Sequence, residues 1–460
     1  MRVCHSFEAV FDDPNLIACG GLPAVMDLAE QAGLHELAAQ HVRVPGPAGA
    51  NAALKIPALV AGMIAGADSI SDLDLLRHGG MGRIFTGLRA PTTLGTHLRA
   101  YTFGHVRQLD AVASRVLVNL AGLAPILEGA EQVTWVDVDD TIRETHGYQK
   151  QGAAYGYSKV KGLNAALATI STPLAAPVIA ATRLRKGNVS SAHGAARLIS
   201  DTLATLAKAV PTNQGLVVVR ADSAYFTHAA VAAAGRGGAR FSITARMNKA
   251  VTRAIAAIPD DSGWTPIQYP NAIYDADQQA WISDAEVAEI DYTAFTSRRK
   301  DDHVTARLIV RRVKRLNPNT RAQGELVPGY RYHAVFTNSP LGLVEAEACH
   351  RDHAHIEQVI ADLKDGALAH APSGKFTANS AWLALAAIAF NLTRAAARIA
   401  SKTLGRARTA TVRRTLVTVA ARVANQARRW RLHLPRDWPW QTQLEHLHTA
   451  VSGRPTAASP

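Results

Sequence analysis

The chain has 460 residues, 48% of them hydrophobic and 19% charged, so it can bury large cores, and wholesale disorder or a coiled-coil fibre is excluded. At about 150 residues per domain, this length suggests roughly three domains. Fifty Lys and Arg against 37 Asp and Glu give a formal charge of +13, which points to a polyanionic partner, nucleic acid before an anionic membrane surface.

Residues 1–130 read as a helical region. Leu22 to Leu37, Ala52 to Ala67 and Leu94 to Leu127 carry apolar residues at three-and-four spacing. This region is either a DNA-end-binding domain or a support domain. From 131 the texture becomes strand, turn and helix, with strands predicted at Val133 to Asp139, Leu163 to Ile170, Pro177 to Leu184, Leu216 to Asp222 and Phe241 to Ala245. Helices are predicted between them, and the alternation gives an α/β core with a mixed sheet over 131–250. Residues 251–328 break the rhythm: ten acidic residues fall between Asp260 and Asp302, among short alternating stretches, which predicts a β-rich insertion. The core resumes over 329–400 with the strand Tyr330 to Thr337 and two helices, about 343–366 and 377–401. A basic C-terminal region, 401–460, follows, with ten Lys or Arg and no acid from Ser401 to Arg436. Three widely spaced cysteines (Cys4, Cys19, Cys349) form neither a disulfide framework nor a CxxC site, so a reducing cytoplasm is expected. No secretory signal is visible, and the apolar runs are shorter than the roughly 20 residues of a membrane span, so no membrane partner is expected.

Three stretches carry chemistry. In Thr134-Trp135-Val136-Asp137-Val138-Asp139-Asp140-Thr141, a strand puts Asp137 and Asp139 on one face. Two carboxylates there repel each other unless a positive charge, such as a hard divalent cation, joins them. The plainer reading is a strand ending in a solvated acidic turn. The buried strand Leu216 to Ala221 runs into Asp222, at the carboxyl end where α/β sheets bind ligands; the alternative is a helix N-cap. From His350 to Lys364, read as one helix, Ile356, Val359, Ile360 and Leu363 form an apolar arc, with His350, His353, Glu357 and Lys364 beside it. That arc is either an anion and metal site or a solvated face.

Together these stretches resemble the Asp-Asp-Glu transposases of bacterial insertion sequences, which have a ribonuclease-H-like core. Asp139 matches the first acid, in Asp-x-Thr; Asp222 the second, in Arg-Ala-Asp-Ser; Glu357 and Lys364 the Glu-x6-Lys of the third. The acids lie 83 and 135 residues apart, and the longer gap accommodates the insertion. The stretch from His146 to Tyr157, with Arg185-Lys186-Gly187-Asn188, resembles the insertion-sequence 1380 branch. The chain departs from the family helix at His350, where Tyr is usual, and at His353, where Arg is usual. Asp137 competes with Asp139 for the first position; Asp139 is preferred because it lies nearer the strand's carboxyl end.

The resemblance implies an α/β fold with a mixed sheet and flanking helices, and an enzyme that binds the inverted-repeat ends of a mobile element, cleaves there and joins them to target DNA. Asp139, Asp222 and Glu357 would be catalytic and hold two Mg²⁺ (or Mn²⁺) ions about 3.5–4 Å apart. Lys364, His350, His353 and Arg220 would contact DNA, as would Arg428, Arg429 and Arg431 in the basic tail, where Trp430, Trp438 and Trp440 are candidate base platforms. Trp264 and Trp281 are candidate wedges at a distorted DNA end. A homodimer in the DNA complex and a cytoplasmic, nucleoid-associated location are implied. The alternatives are a non-catalytic DNA-binding protein derived from a transposase, and a nuclease that cuts without joining.

Overall fold

The computed structural model describes residues 8–146, 149–212, 214–260, 263–268, 274–275, 280–281, 285–314, 330–426 and 429–453. Their contacts divide the chain into two units, residues 1–124 with 362–460, and residues 125–361. The N-terminal helical region and the basic C-terminal region, which read as separate domains in the sequence, therefore share a unit. The core segment expected at 329–400 is divided between Ala361 and Asp362.

In the first unit a short strand, β1 (Leu16–Ile17), leads into α1 (Leu22–Gln31) and α2 (Leu34–His41). Gly33 separates these helices at φ +78°, a conformation that costs a residue without a side chain little. Then come α3 (Ala52–Ala65), α4 (Pro91–Arg99) and α5 (Phe103–Leu123). They pack around a 25-residue helix from the far end of the chain, Phe376–Ala400, which is buried on all sides. That helix is long and apolar enough to cross a membrane, but 89% of its most apolar window is buried inside the protein, where neighbouring helices cover it.

Among the described residues, the second unit is built on a ten-stranded mixed sheet. Its first strands are β2 (Val133–Glu144), β3 (Lys161–Ser171) and β4 (Val178–Lys186), an antiparallel series close to the predicted strands, with β2 continuing past Asp139 to Glu144. The chain then crosses through α6 (Ala195–Ala209) to β5 (Leu216–Ala221), parallel to β2, and through α7 (His228–Arg236) to β6 (Arg240–Thr244), parallel to β5. The spatial order β4-β3-β2-β5-β6, with the two crossovers parallel, is the ribonuclease-H-like arrangement the motifs imply. After the helix α8 (Lys249–Ala256) come β7 (Ala285–Ala294), β8 (Val304–Lys314) and β9 (Tyr330–Thr337). The β-rich insertion is continuous with the core: β9 pairs with β6, and β8 and β7 extend the same sheet outward. Alternating apolar residues explain this, since Val287, Leu308 and Val310 are all buried. Trp264 in this region lies 4.1 Å from the Arg312 guanidinium, which covers its ring, and the side chain of Trp281 lies outside the described residues.

One face of the sheet is covered by α6, which packs on β2, β3 and β4. On the opposite face lies α9 (Leu343–Arg351), followed by a tight turn, Asp352–Ala354, and α10 (His355–Lys364).

Candidate active site

In the parallel pair β2 and β5, Asp137 lies directly beside Arg220 and Val138 beside Ala221, so the next residues follow side by side: Asp222 just past the carboxyl end of β5, and Asp139 within β2, which runs on to Glu144 and leaves the end expected at Asp139 five residues further along. Neighbouring strands are about 4.8 Å apart, and side chains two positions along share a face. The same face of the sheet thus carries two successive rungs, an acid–base rung at 137/220 and an acid–acid rung at 139/222.

The inner rung is closed. Arg220 donates from Nε and Nη2 to the two carboxylate oxygens of Asp137, at 2.6 and 2.7 Å, and both side chains are fully buried. Its remaining Nη1 donates to the Cys349 carbonyl at the end of α9, and its guanidinium lies 5.1 Å from the Trp135 ring. His353 donates from Nδ1 to Asp137 Oδ1 at 3.0 Å. Burial pushes the Asp137 carboxyl up, but Arg220 and the His353 bond outweigh it and hold it below its ordinary value.

The outer rung is open. Burial, reinforced by the nearby carboxylates of Asp222 and Asp140, pushes Asp139 up to about 6, although the Asp140 amide and the His353 imidazole act the other way. Asp222 is also raised, chiefly by desolvation of its carboxyl. The N-cap reading of Asp222 holds as well, since Oδ1 accepts from the Ala224 amide at 2.9 Å. This pair of crowded carboxylates with little counter-charge fits a hard divalent cation. Among the described residues, however, no group of three or more His, Cys, Asp or Glu side chains stands close enough to hold one.

A third acid on β2, Asp140, points to the α6 face and is fully engaged. It accepts from Asn164 Nδ2 at 2.5 Å and from Ser191 Oγ at 2.9 Å, and pairs with the buried Arg185. Arg185 in turn donates to the carbonyls of Ser191 and His193 at 2.9 and 2.7 Å. Of the three aspartates on this strand, two are neutralised by a buried arginine each, and Asp139 lacks one. Sequence reasoning misses both arginines as partners, although residues 137 and 220 are separated by the same 83 positions as 139 and 222, the signature of lateral neighbours in parallel strands.

The remaining sequence candidates divide. Arg220, expected at a DNA strand, is instead a buried structural cation, because it has no exposed surface and all its donors point inward. His350 is likewise buried: Ser242 and Thr244 hydroxyls bond its two ring nitrogens at 3.0 and 2.9 Å, and burial, then the nearby His353, push its pKa down to about 3. It is a neutral core histidine that no phosphate reaches. His353 is bonded to Asp137. The turn at Asp352–Ala354 breaks the helix expected from 350 to 364, so only Glu357 and Lys364 share α10. Glu357 is exposed, four residues beyond His353, and Lys364 is half-buried in the other unit's segment of the helix. Arg429 and Arg431 are exposed on a C-terminal strand, and Arg428 lies outside the described residues. Trp430 is 53% exposed, whereas Trp438 donates to the Thr415 carbonyl at 3.1 Å and meets Trp440 edge-on, so these two serve packing.

The curated proteins contain no match to the chain. The family model described as transposase DDE domain group 1 matches residues 5–455, nearly the whole length, and the chain belongs to that transposase family.

Proposed function

We propose that the protein binds the inverted-repeat ends of an insertion sequence of the 1380-like branch, cleaves the DNA there and transfers the strands to a target in a cut-and-paste-like reaction. The observation that carries this reading is the open rung Asp139/Asp222, two carboxylates side by side on adjacent parallel strands without a buried arginine between them, in a chain of the DDE transposase family. Asp139, Asp222 and Glu357 are the residues that would hold divalent cations. When bound, such ions supply Lewis-acid activation of the attacking hydroxyl and charge for the departing oxygen.

The chain's own residues do the rest. Asp139 presents its acceptor oxygens from within β2 and Asp222 from the end of β5, and the pairing of these strands fixes their spacing before DNA arrives. Arg220, bridging Asp137 and the Cys349 carbonyl, ties β5 to β2 and to α9, and His353 carries that anchoring to the start of α10, where Glu357 stands one turn on. Lys364 offers a point charge for a phosphate. DNA ends must be brought together in pairs, so a homodimer acts on them, and the reaction takes place in the cytoplasm, at the nucleoid.

One observation favours the second reading, a DNA-binding protein without catalysis: Glu357 is exposed and no three-acid cluster is preformed among the described residues. A strand-transfer assay with end-containing duplex and Mg²⁺ separates them. Joined products support the transposase; bound DNA with no cleavage supports the second reading; cleavage without joining indicates a nuclease.

A further inference from the structure

The basic C-terminal run forms an antiparallel ribbon, β10 (Ala421–Gln426) and β11 (Arg429–His433), whose free side is sealed onto the unit by β1. Its register sorts the side chains. Arg422 faces His433, Ala424 faces Arg431 and Gln426 faces Arg429, so the cations share one face; Val423 opposite Leu432, and Asn425 opposite Trp430, form the other. The apolar face is packed down at its base. A Cβ on Gly20 would lie 2.7 Å from the Ala421 Cβ, and one on Gly80 2.8 Å from a Val423 methyl, so the backbone beneath approaches as closely as it can. The cationic face is open: Arg422, Arg429, Arg431 and His433 are all exposed. Arg422 pairs with Asp13 at 3.0 Å, and among the described residues no acid pairs with Arg429 or Arg431.

We infer that this ribbon lies with its cationic face against the major groove of duplex DNA and straddles it. The inference rests on the DNA partner proposed above and names the surface that takes it. A two-stranded ribbon is one of the few elements a major groove about 12 Å wide admits. Arg429, Arg431 and His433 alternate along one strand at a spacing of about 6.6 Å, so they span roughly 13 Å, from one phosphate wall of the groove to the other. The face carries three arginines and no acid, and the sealed apolar base holds it rigid, which suits an acceptor-rich polyanion of fixed shape. The contacts are to phosphates, so binding here is independent of sequence.

The test is fluorescence anisotropy of the full-length protein on a duplex of arbitrary sequence, about three helical turns long, in EDTA, across a salt series. Arg429→Ala/Arg431→Ala should weaken binding at least about tenfold at low salt and reduce the slope of log affinity against log salt by about 2, at roughly 0.9 per lost phosphate contact. Unchanged affinity and slope, with wild type binding normally, overturns the ribbon while leaving the DNA reading intact. No duplex binding by wild type removes the DNA reading itself, and binding to phosphatidylserine vesicles in its place assigns the face to a membrane. Should the double variant lose its cooperative thermal transition, phenylglyoxal modification of the wild type decides: protection of Arg429 and Arg431 by duplex supports the ribbon, and equal modification overturns it.

Discussion

Asp137 and Asp139 share a strand, a face and the same neighbouring strand β5, yet the protein treats them oppositely. Asp137 meets Arg220, is wholly buried and is held ionised; Asp139 meets a second acid and is pushed up to about 6. The difference is the identity of one residue per rung, and it separates two jobs. A closed rung has its charge committed to holding strands and helix together, and nothing is left to bind with. An open rung is electrostatically unfavourable in the empty protein and becomes favourable when a cation arrives. Buried ion pairs are poor evidence for net stability, but next to an open site they supply rigidity where a spacing must be kept.

The sharpest way to break this contrast is to neutralise each rung in turn. Asp139→Asn or Asp222→Asn should lower end cleavage by at least about a thousandfold, in keeping with the weight of positioned metal ligands in phosphoryl transfer. DNA affinity should hold or rise, since a charge repelling phosphate is removed. Normal cleavage by either variant would reassign the open rung. At the closed rung the loss should appear in folding. Arg220→Met leaves the buried Asp137 charge with only the His353 bond and should cost about 3–5 kcal/mol in urea unfolding, most of it recovered in Asp137→Leu/Arg220→Met. A cost below about 1 kcal/mol for the single variant would mean that the pair anchors nothing.

How far these rungs can be read from sequence depends on the range of the interaction. The face shared by Asp137 and Asp139 follows from strand alternation and is visible within one short stretch. The α/β core is legible for the same reason, because buried strands and amphipathic helices declare themselves locally. Arg220 reads as a surface cation, since an arginine near a strand end looks solvated until the parallel register sets it beside Asp137. His350 misleads in the same way, because its hydroxyl partners come from β6, more than a hundred residues earlier. The break at Asp352–Ala354 is hidden because its residues continue an acceptable helical pattern, while His353 within it bonds Asp137 on β2, 216 positions earlier. The union of the two chain ends in one unit is out of reach because the central apolar helix reads equally well as core for either half.

Acid titration sharpens the contrast further. A carboxyl raised from 3.8 to about 6 by folding binds its proton more tightly in the native than in the unfolded state. Its contribution to stability is therefore full below pH about 4 and is lost as pH rises through 6. At about 1.4 kcal/mol for each tenfold change in proton affinity, the loss is at most about 3 kcal/mol. Wild type minus Asp139→Asn, measured by urea unfolding from about pH 4 to 7, should show that decline; a flat difference means the open rung is not strained. Asp137 has the opposite sign and should make the native state lose stability only as pH falls below the ordinary carboxylate range. Added Mg²⁺ should reverse the Asp139 loss near pH 7, by about 2.7 kcal/mol at a hundred times its dissociation constant, in wild type and much less in Asp139→Asn.

The smallest effect expected comes from the residue that touches both rungs. His353 bonds Asp137, and its imidazole also works against the upward shift of Asp139 and Asp222. Replacing it by arginine keeps a donor for Asp137 and adds a charge that does not titrate. His353→Arg should therefore move the Asp139 transition to lower pH by about one pH unit or less, shrink the stability decline between about pH 4 and 7 by about 1 kcal/mol, and leave the unfolding midpoint at the acid end almost unchanged. A large destabilisation at every pH would show that the imidazole is held by shape, with no room for the longer side chain, and that its charge has little to do with the open rung. A transition moved without loss of fold would show the two rungs to be electrically linked through this one ring.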